Sequence, residues 1–387
     1  MANEFAEIQK IFHQQFRGTP RFYRAPGRVN LIGEHTDYND GLVMPAAIDF
    51  YTWVAISPRE DRKLFVHSLN FSETVEIDLA NENPKPRKHW SDYVQGVVLM
   101  LQRANHPLRG ADIVIRGDVP IGSGLSSSAA IEVSTGFALL DIAGLKIDRA
   151  ELAKLCRRAE NEFVGAQVGI MDQFISACGH QGKALMLDCR SLEFKLLPVP
   201  SAVSLVICNT MIRHEHSKSG YNTRREECSE AVRLLSAVLP GIRALRDVTP
   251  QDLERLSSLL PPVILRRVRH VVTEDARVER AAAALQRDDL ATFGKLMNES
   301  HRSLRDDYQV SCRELDIAVE LAAGQPGVYG ARMTGGGFGG CTINLVASDS
   351  VENFKRRLAE GYEQKTGLSP EIFVSSAAEG VGEVKQE

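Results

Sequence analysis

Asp118-Val-Pro-Ile-Gly-Ser-Gly-Leu-Ser-Ser-Ser-Ala-Ala-Ile-Glu-Val-Ser134 follows an apolar run, Ile113, Val114 and Ile115, that reads as a strand, and it leads into good helix formers. A Gly/Ser loop at a helix N-terminus is an anion cradle: glycine lets the backbone come close, and the first helical N–H groups point at the bound charge. A small-residue turn of purely structural use has the same wording. No Lys follows the glycines, so this is not a P-loop, and the third glycine of the dinucleotide fingerprint is absent. Three consecutive serines supply hydroxyls for caps, phosphates or a hard cation. The loop needs partners elsewhere in the chain.

Upstream, Phe5, Ile8, Ile11, Phe12 and Phe16 have helical spacing. An extended segment from Arg21 to Ala25 is expected to break at Pro26-Gly27. Then comes Arg28-Val-Asn-Leu-Ile-Gly-Glu-His-Thr-Asp-Tyr-Asn-Asp-Gly-Leu-Val-Met-Pro45, in which Arg28, Glu34, His35 and Asp37 crowd around two glycines. So many hydrogen-bonding side chains suit a loop that grips a polyol, with the acids accepting from hydroxyls and Arg and His donating. Tyr51 to Ile56, Leu64 to Val66 and the alternating Val75 to Leu79 read as strands, with short polar turns implying antiparallel neighbours. A helix around Trp90 to Gln102 precedes the Gly/Ser loop.

Downstream, Asp148 and Glu151 open a helix in which Leu152, Leu155, Cys156 and Ala159 share a face, and Glu160 and Glu162 lie at its far end, where a carboxylate opposes the dipole. Asp172, flanked by Ile170, Met171, Phe174 and Ile175, is either a cap satisfied by backbone N–H groups or a functional carboxylate, and spacing favours the cap. A strand from Val203 to Cys208 begins a helix-rich region. Helices are expected from Thr223 to Leu239, after the Thr249 cap with Pro250, and from Asp275 through Leu296. His214-Glu-His216 lacks the spacing of a zinc helix and reads as loop. Gly330-Ala-Arg-Met-Thr-Gly-Gly-Gly-Phe-Gly-Gly-Cys-Thr-Ile-Asn-Leu-Val346 is a second glycine-rich loop, whose entropic cost points to close backbone approach to a ligand.

The 387 residues exceed one ordinary core and suit two domains, divided as 1–200 and 201–387, with the last segment free to return to the first. A net charge of -4 gives no electrostatic footprint for nucleic acid, and the basic cluster from Leu265 to His270 reads as the solvated face of a helix. Seven scattered cysteines, without a Cys-x-x-Cys pair, fit a reducing cytoplasm. No membrane span and no secretory leader are expected.

Taken together, the three loops resemble those of the small-molecule kinases that include galactokinase, homoserine kinase, mevalonate kinase and phosphomevalonate kinase. Gly27 to Asn39 is similar to the galactokinase signature. The resemblance continues through Gly169-Ile-Met-Asp-Gln173, Tyr221-Asn-Thr-Arg-Arg225 and Ser303-Leu-Arg-Asp-Asp-Tyr308, whereas the middle of Thr210 to Tyr221 departs from the usual family wording.

The resemblance implies an α+β fold of two domains, the first like ribosomal protein S5 domain 2 and the second ferredoxin-like. It implies that Asp172 is the base with Arg28 beside it, and that Glu34, His35, Thr36, Asp37 and Tyr221 bind the sugar. Gly122, Ser123, Gly124, Leu125, Ser126, Ser127 and Ser128 would hold the ATP phosphates, Ser68 would lie beside the nucleotide, Ser128 and Glu160 would bind Mg²⁺, and Gly335 to Gly340 would close the site. The implied activity is ATP-dependent phosphorylation of galactose at its anomeric hydroxyl, in galactose catabolism, by a cytoplasmic monomer or weak homo-oligomer. A kinase of galactosamine or galacturonate, and a non-catalytic sensor of galactose and ATP, are the alternatives.

Overall fold

The structure is a computed structural model that describes residues 2–213 and 217–385, so the His214-Glu-His216 reading lies outside the described residues. In chain order the elements are α1 (Ala2–Gln15), β1 (Arg21–Asn30), β2 (Leu42–Val43), β3 (Pro45–Pro58), β4 (Lys63–Ser68), β5 (Glu73–Asp78), α2 (Ser91–Arg103), β6 (Ala111–Gly117) and α3 (Ser127–Ile142). They continue as α4 (Arg149–Arg158), a π-helical turn (Ala159–Val164), α5 (Met171–Cys178), β7 (Lys183–Asp188), β8 (Phe194–Pro198), β9 (Val203–Arg213) and α6 (Ser217–Leu235). The remainder comprises α7 (Pro250–Leu256), α8 (Pro262–Gln286), α9 (Leu290–Ser303), α10 (Arg313–Ala323), β10 (Val328–Thr334), β11 (Gly339–Ala347), α11 (Val351–Thr366), β12 (Glu371–Ser375) and β13 (Gly382–Val384).

A six-stranded sheet runs β13-β1-β3-β6-β4-β5, a four-stranded sheet runs β10-β11-β9-β12, and β2-β7-β8 form a small third sheet. The largest core packs the first sheet against α2, α3, α4 and α5 through residues such as Val54, Val98, Ile113, Leu139 and Phe174. Val206, Val346, Phe354 and Tyr362 form a separate cluster of the second sheet with α10 and α11. Between them, one cluster joins Val29, Ile32 and Met44 to Ile207, Val278, Met297 and Ile343. Each of these residues forgoes water contact, worth about 1.5–3 kcal/mol for a fully buried branched side chain.

Four expectations about elements change. β1 continues through Pro26-Gly27, with a register shift between Pro26 and Arg28. Pro26 is tolerated because β13 pairs only with Phe22, Tyr23 and Arg24, so the missing N–H costs no ladder bond on that edge. β3 does not pair with β4: β6 lies between them, antiparallel to β3 and parallel to β4, while β4 and β5 form the expected antiparallel pair. The stretch from Asp275 through Leu296 is two helices, with Asp288 left-handed at φ 56° and Asp289 capping α9 through the Thr292 N–H. α6 begins at Ser217 and ends at Leu235.

Part of the basic segment of α8 also turns inward, while Arg269 stays exposed. Arg267 is buried and donates to Glu227 Oε2 at 2.7 Å and to the Asp307 carbonyl at 2.6 Å, and His270 is fully buried. Asp148 and Thr249 cap α4 and α7 as read, each accepting from a backbone N–H in the first turn.

Candidate active site

A cleft of about 730 Å³ is lined by all three loops: Arg28, Glu34, His35 and Asp37, then Gly122, Gly124 and Ser126 to Ser128, then Thr334 to Gly340. Ser68, Glu160, Asp172 and Tyr221 line it as well. Residues far apart in sequence therefore share one cavity.

Asp172 lies in the first turn of α5, yet no backbone cap uses its side chain. Arg28 Nε donates to Asp172 Oδ1 at 2.8 Å and Arg28 Nη2 to Oδ2 at 2.7 Å, the fork geometry of a strong charge-assisted pair. Ser126 Oγ donates to Oδ2 as well. The cap reading is overturned, and the carboxylate stands in the cleft. Arg28 is buried; that burial opposes its charge but is outweighed by Asp172 and Glu34, which raise its pKa. Its N–H donates to the Leu125 carbonyl at 3.0 Å and its Nη1 to the Gly124 carbonyl at 2.5 Å. One arginine thus ties Asp172 to the Gly/Ser loop.

Glu34 is buried, accepts from the Gly335 N–H at 2.7 Å, and faces Arg332 Nη1 at 3.5 Å. Burial raises its pKa against the opposing effect of Arg332 and Arg28. Asp37 is pushed up to about 7, by burial first and then by the charges of Asp172 and Glu34. Tyr221 packs against His35 and Tyr38 with ring centroids 5.5 and 5.4 Å away.

His35 departs from the expected donor role. Its Nε2 is 3.2 Å from the Gly336 carbonyl, which can only accept, so Nε2 carries the proton. Nδ1 then accepts from the Tyr38 hydroxyl at 2.7 Å, and the Tyr38 oxygen accepts from Tyr308 at 2.8 Å. Burial, followed by the charge of His270, lowers the pKa of His35 to about 3, which keeps this tautomer neutral. Both ring nitrogens are committed to the protein, and what His35 offers the cleft is its ring.

Three further positions need correction. Thr36 is fully buried, outside the cleft lining, and donates to the Gly33 and Leu42 carbonyls, so its hydroxyl shapes the loop instead of touching sugar. The Leu125 side chain packs in the core with Val29, Val119 and Ala130. The Ser123 hydroxyl donates to the Pro120 carbonyl at 2.7 Å. The side chains at 123 and 125 thus point away from the cleft, and only the backbone of these two residues can face it. Ser126, φ 64°, adopts a left-handed conformation at the start of α3 and makes no side-chain cap bond.

Sequence reasoning missed the layer behind these groups. Arg332 is fully buried beside Glu34, and Thr334 Oγ1 accepts from the Asn30 N–H at 2.9 Å. Glu132 and Gln173, both fully buried, stand behind Glu160. Burial, then the Glu160 charge, pushes the Glu132 carboxyl well above the usual range. Glu132 lies inside the opening stretch itself, where a lone acid on a helix gives no sign of its burial. The cleft's other end is apolar and aromatic: Phe71 and Trp90 stack at 5.8 Å near Ile115 and Ile121.

The Ser128 hydroxyl and Glu160 carboxylate are hard oxygen donors facing one cavity. That set fits Mg²⁺, which takes few protein oxygens and completes its shell with phosphate and water. Among the described residues no group of three or more His, Cys, Asp or Glu forms a metal cage.

Fold and cleft define a small-molecule kinase of the GHMP class. The GHMP kinases N-terminal domain matches residues 92–180, the GHMP kinases C-terminal domain residues 281–364, and the galactokinase galactose-binding signature residues 10–58. A galactokinase of Roseiflexus sp. is 48% identical over 98% of this chain and 97% of its own length, and one from Haemophilus influenzae is 44% identical over 96% and 97%. The solved Lactococcus lactis galactokinase complexed with galactose superposes with a TM-score of 0.95 at 37% identity, covering 98% of this chain and 100% of that one. The mevalonate kinase of Methanococcus jannaschii shares the fold, with a TM-score of 0.66 at 20% identity over 94% and 100%. The chain belongs to the galactokinase family of ATP-dependent sugar kinases.

Proposed function

We propose that this cleft transfers the γ-phosphoryl group of ATP to the anomeric hydroxyl of α-D-galactose, giving galactose 1-phosphate and ADP. The observation that supports it best is the two-pronged Arg28–Asp172 pair in a cavity shared by the polar loop and the Gly/Ser loop. An anomeric hydroxyl is a weak nucleophile, so it needs positioning and a path for its proton. Asp172 orients the hydroxyl and accepts that proton. Arg28 fixes the carboxylate and offsets charge that develops as the phosphoryl group moves. Glu34 and Asp37 accept from sugar hydroxyls, while Tyr221 and the His35 ring wall the sugar.

Gly122, Gly124 and the start of α3 cradle the phosphates, and the aromatic end beside Ser68 takes the base of the nucleotide. Ser128 and Glu160 would hold Mg²⁺ beside the phosphates, and the ion would supply charge neutralisation there. Residues 1–200 form the first domain in this reading and 201–387 the second, with β13 returning to the first sheet. The location is the cytoplasm, which seven unpaired cysteines support, and the assembly is a monomer or a weak homo-oligomer. Among the described residues no helix is long and apolar enough to cross a membrane.

ATP consumption across a panel of sugars tests the reading. Turnover is expected on galactose. Turnover confined to galactosamine or galacturonate would reassign the substrate, and none on any sugar would leave a sensor of galactose and ATP.

A further inference from the structure

Glu160 stands on the π-helical turn Ala159–Val164 and faces the cleft. Gln173 touches it from behind. The Gln173 side chain is fully buried and outside the cavity lining, and its Nε2 donates to Glu160 Oε2 at 2.6 Å and to Glu132 Oε2 at 3.0 Å. An amide NH₂ has two protons, and here Glu160 Oε2 accepts one and Glu132 Oε2 the other. Glu132, also fully buried, accepts from that amide and, among the described residues, from no other side chain. Gln173 directly follows Asp172 on α5, so one helical turn carries groups for both sides of the cleft.

We propose that Gln173, anchored by Glu132, is a positioning residue that fixes the direction of the Glu160 carboxylate toward a phosphate-bound divalent cation. This rests on the kinase reading above, in which Ser128 and Glu160 are the metal-facing oxygens. A glutamate has three rotatable bonds, and a carboxylate that must meet a cation at one angle gains from a fixed hydrogen bond on its other side. The donor is neutral, which matters. A Lys or Arg in its place would neutralise Glu160 and compete with the cation, whereas an amide orients the oxygen and leaves its charge available. Glu132 completes the device by holding the second amide proton, so the amide cannot rotate away.

The test is calorimetric binding of Mg²⁺-ADP, of ADP with metal removed, and of galactose. Loss of such outer partners typically costs about 10–100-fold in metal affinity. The Mg²⁺-dependent gain in ADP affinity is therefore expected to fall by about 10-fold or more in Gln173→Leu, with metal-free ADP and galactose affinities within about 2-fold of wild type. Should that variant not fold, Gln173→Asn, which keeps the amide but shortens its reach, carries the same expectation. Glu132→Leu should lose the gain in the same direction, and Glu132→Gln, which retains an acceptor for the amide, should recover most of it. If Glu160→Gln loses the gain while the Gln173 variants keep it, the positioning role is overturned and the kinase reading stands. If Glu160→Gln keeps it, the metal assignment fails and the inference goes with it. Equal loss of all three affinities in both Gln173 variants would overturn the proposal in favour of a purely structural residue.

Discussion

Asp37 shares its cleft with Asp172 and Glu34, and burial together with those charges pushes its carboxyl up to about 7. Sugar hydroxyls donate to the ionised form, so galactose binding should release protons between roughly pH 5 and 7 and tighten with rising pH, by at most about 10-fold per unit. Calorimetry in buffers of different ionisation enthalpy reads this directly. An Asp37→Asn variant should show no release, and an identical pH profile in both proteins would remove Asp37 from sugar binding. The sugar-free fold has the opposite sign: a raised carboxyl contributes stability that is complete below its ordinary value of 3.8 and lost as pH rises through about 7. Asp172→Asn should keep galactose affinity but lower turnover by about 10²-fold or more, and near-normal turnover would take the base role from Asp172. At this scale the sequence announced types but not directions. Spacing alone misread Asp172 as a cap, and only the family resemblance set it beside Arg28, where the structure has the pair. The inward turn of Thr36, Ser123 and Leu125 was not, because a side chain's direction depends on strand register and on a loop backbone with several left-handed residues.

The elements place these groups through close approaches that tolerate little added volume. A Cβ at Gly169 would lie 1.7 Å from Asp37 Oδ2, so Gly169→Ala must displace that carboxylate. Galactose affinity should fall by about 10-fold or more, the effect of losing a well-placed buried hydrogen bond, while ADP affinity stays level. Unchanged galactose binding would show that Asp37 does not reach the sugar. Gly337, at φ 79°, would place a Cβ 2.2 Å from the Val310 carbonyl, which accounts for one glycine of the third loop by contact with its own scaffold. Caps were the best-read features. Thr249 accepts from the Asp252 N–H at 3.1 Å, and Thr249→Ala should cost about 1 kcal/mol in urea unfolding. Pro26 misled because proline usually ends a strand, and the exception depends on which neighbour lies on its N–H side. The α8–α9 break was hidden because Asp288 and Asp289 carry no glycine or proline to mark it.

Across the molecule, the cluster that unites Val29 and Met44 with Ile207, Met297 and Ile343 leaves neither half with a core of its own at the cleft. Unfolding should therefore be one cooperative transition. Trp53 and Trp90 fluorescence reports the first sheet and its surroundings, and reactivity of buried Cys208 and Cys341 reports the second. Their urea midpoints should coincide, and separated midpoints would show that the halves unfold independently. Three distinctive loops and the resemblance they carry were enough to define the α+β class, the family and many of the cleft's lining residues, because those signals are local and each has a chemical reason. Tertiary structure decided the rest: β6 between β3 and β4, Arg267 and His270 turned inward, both nitrogens of His35 consumed, and Gln173 bridging Glu132 to Glu160. Such facts depend on which groups meet across long separations in the chain, and burial and hydrogen-bond satisfaction are properties of that meeting, which no single segment carries.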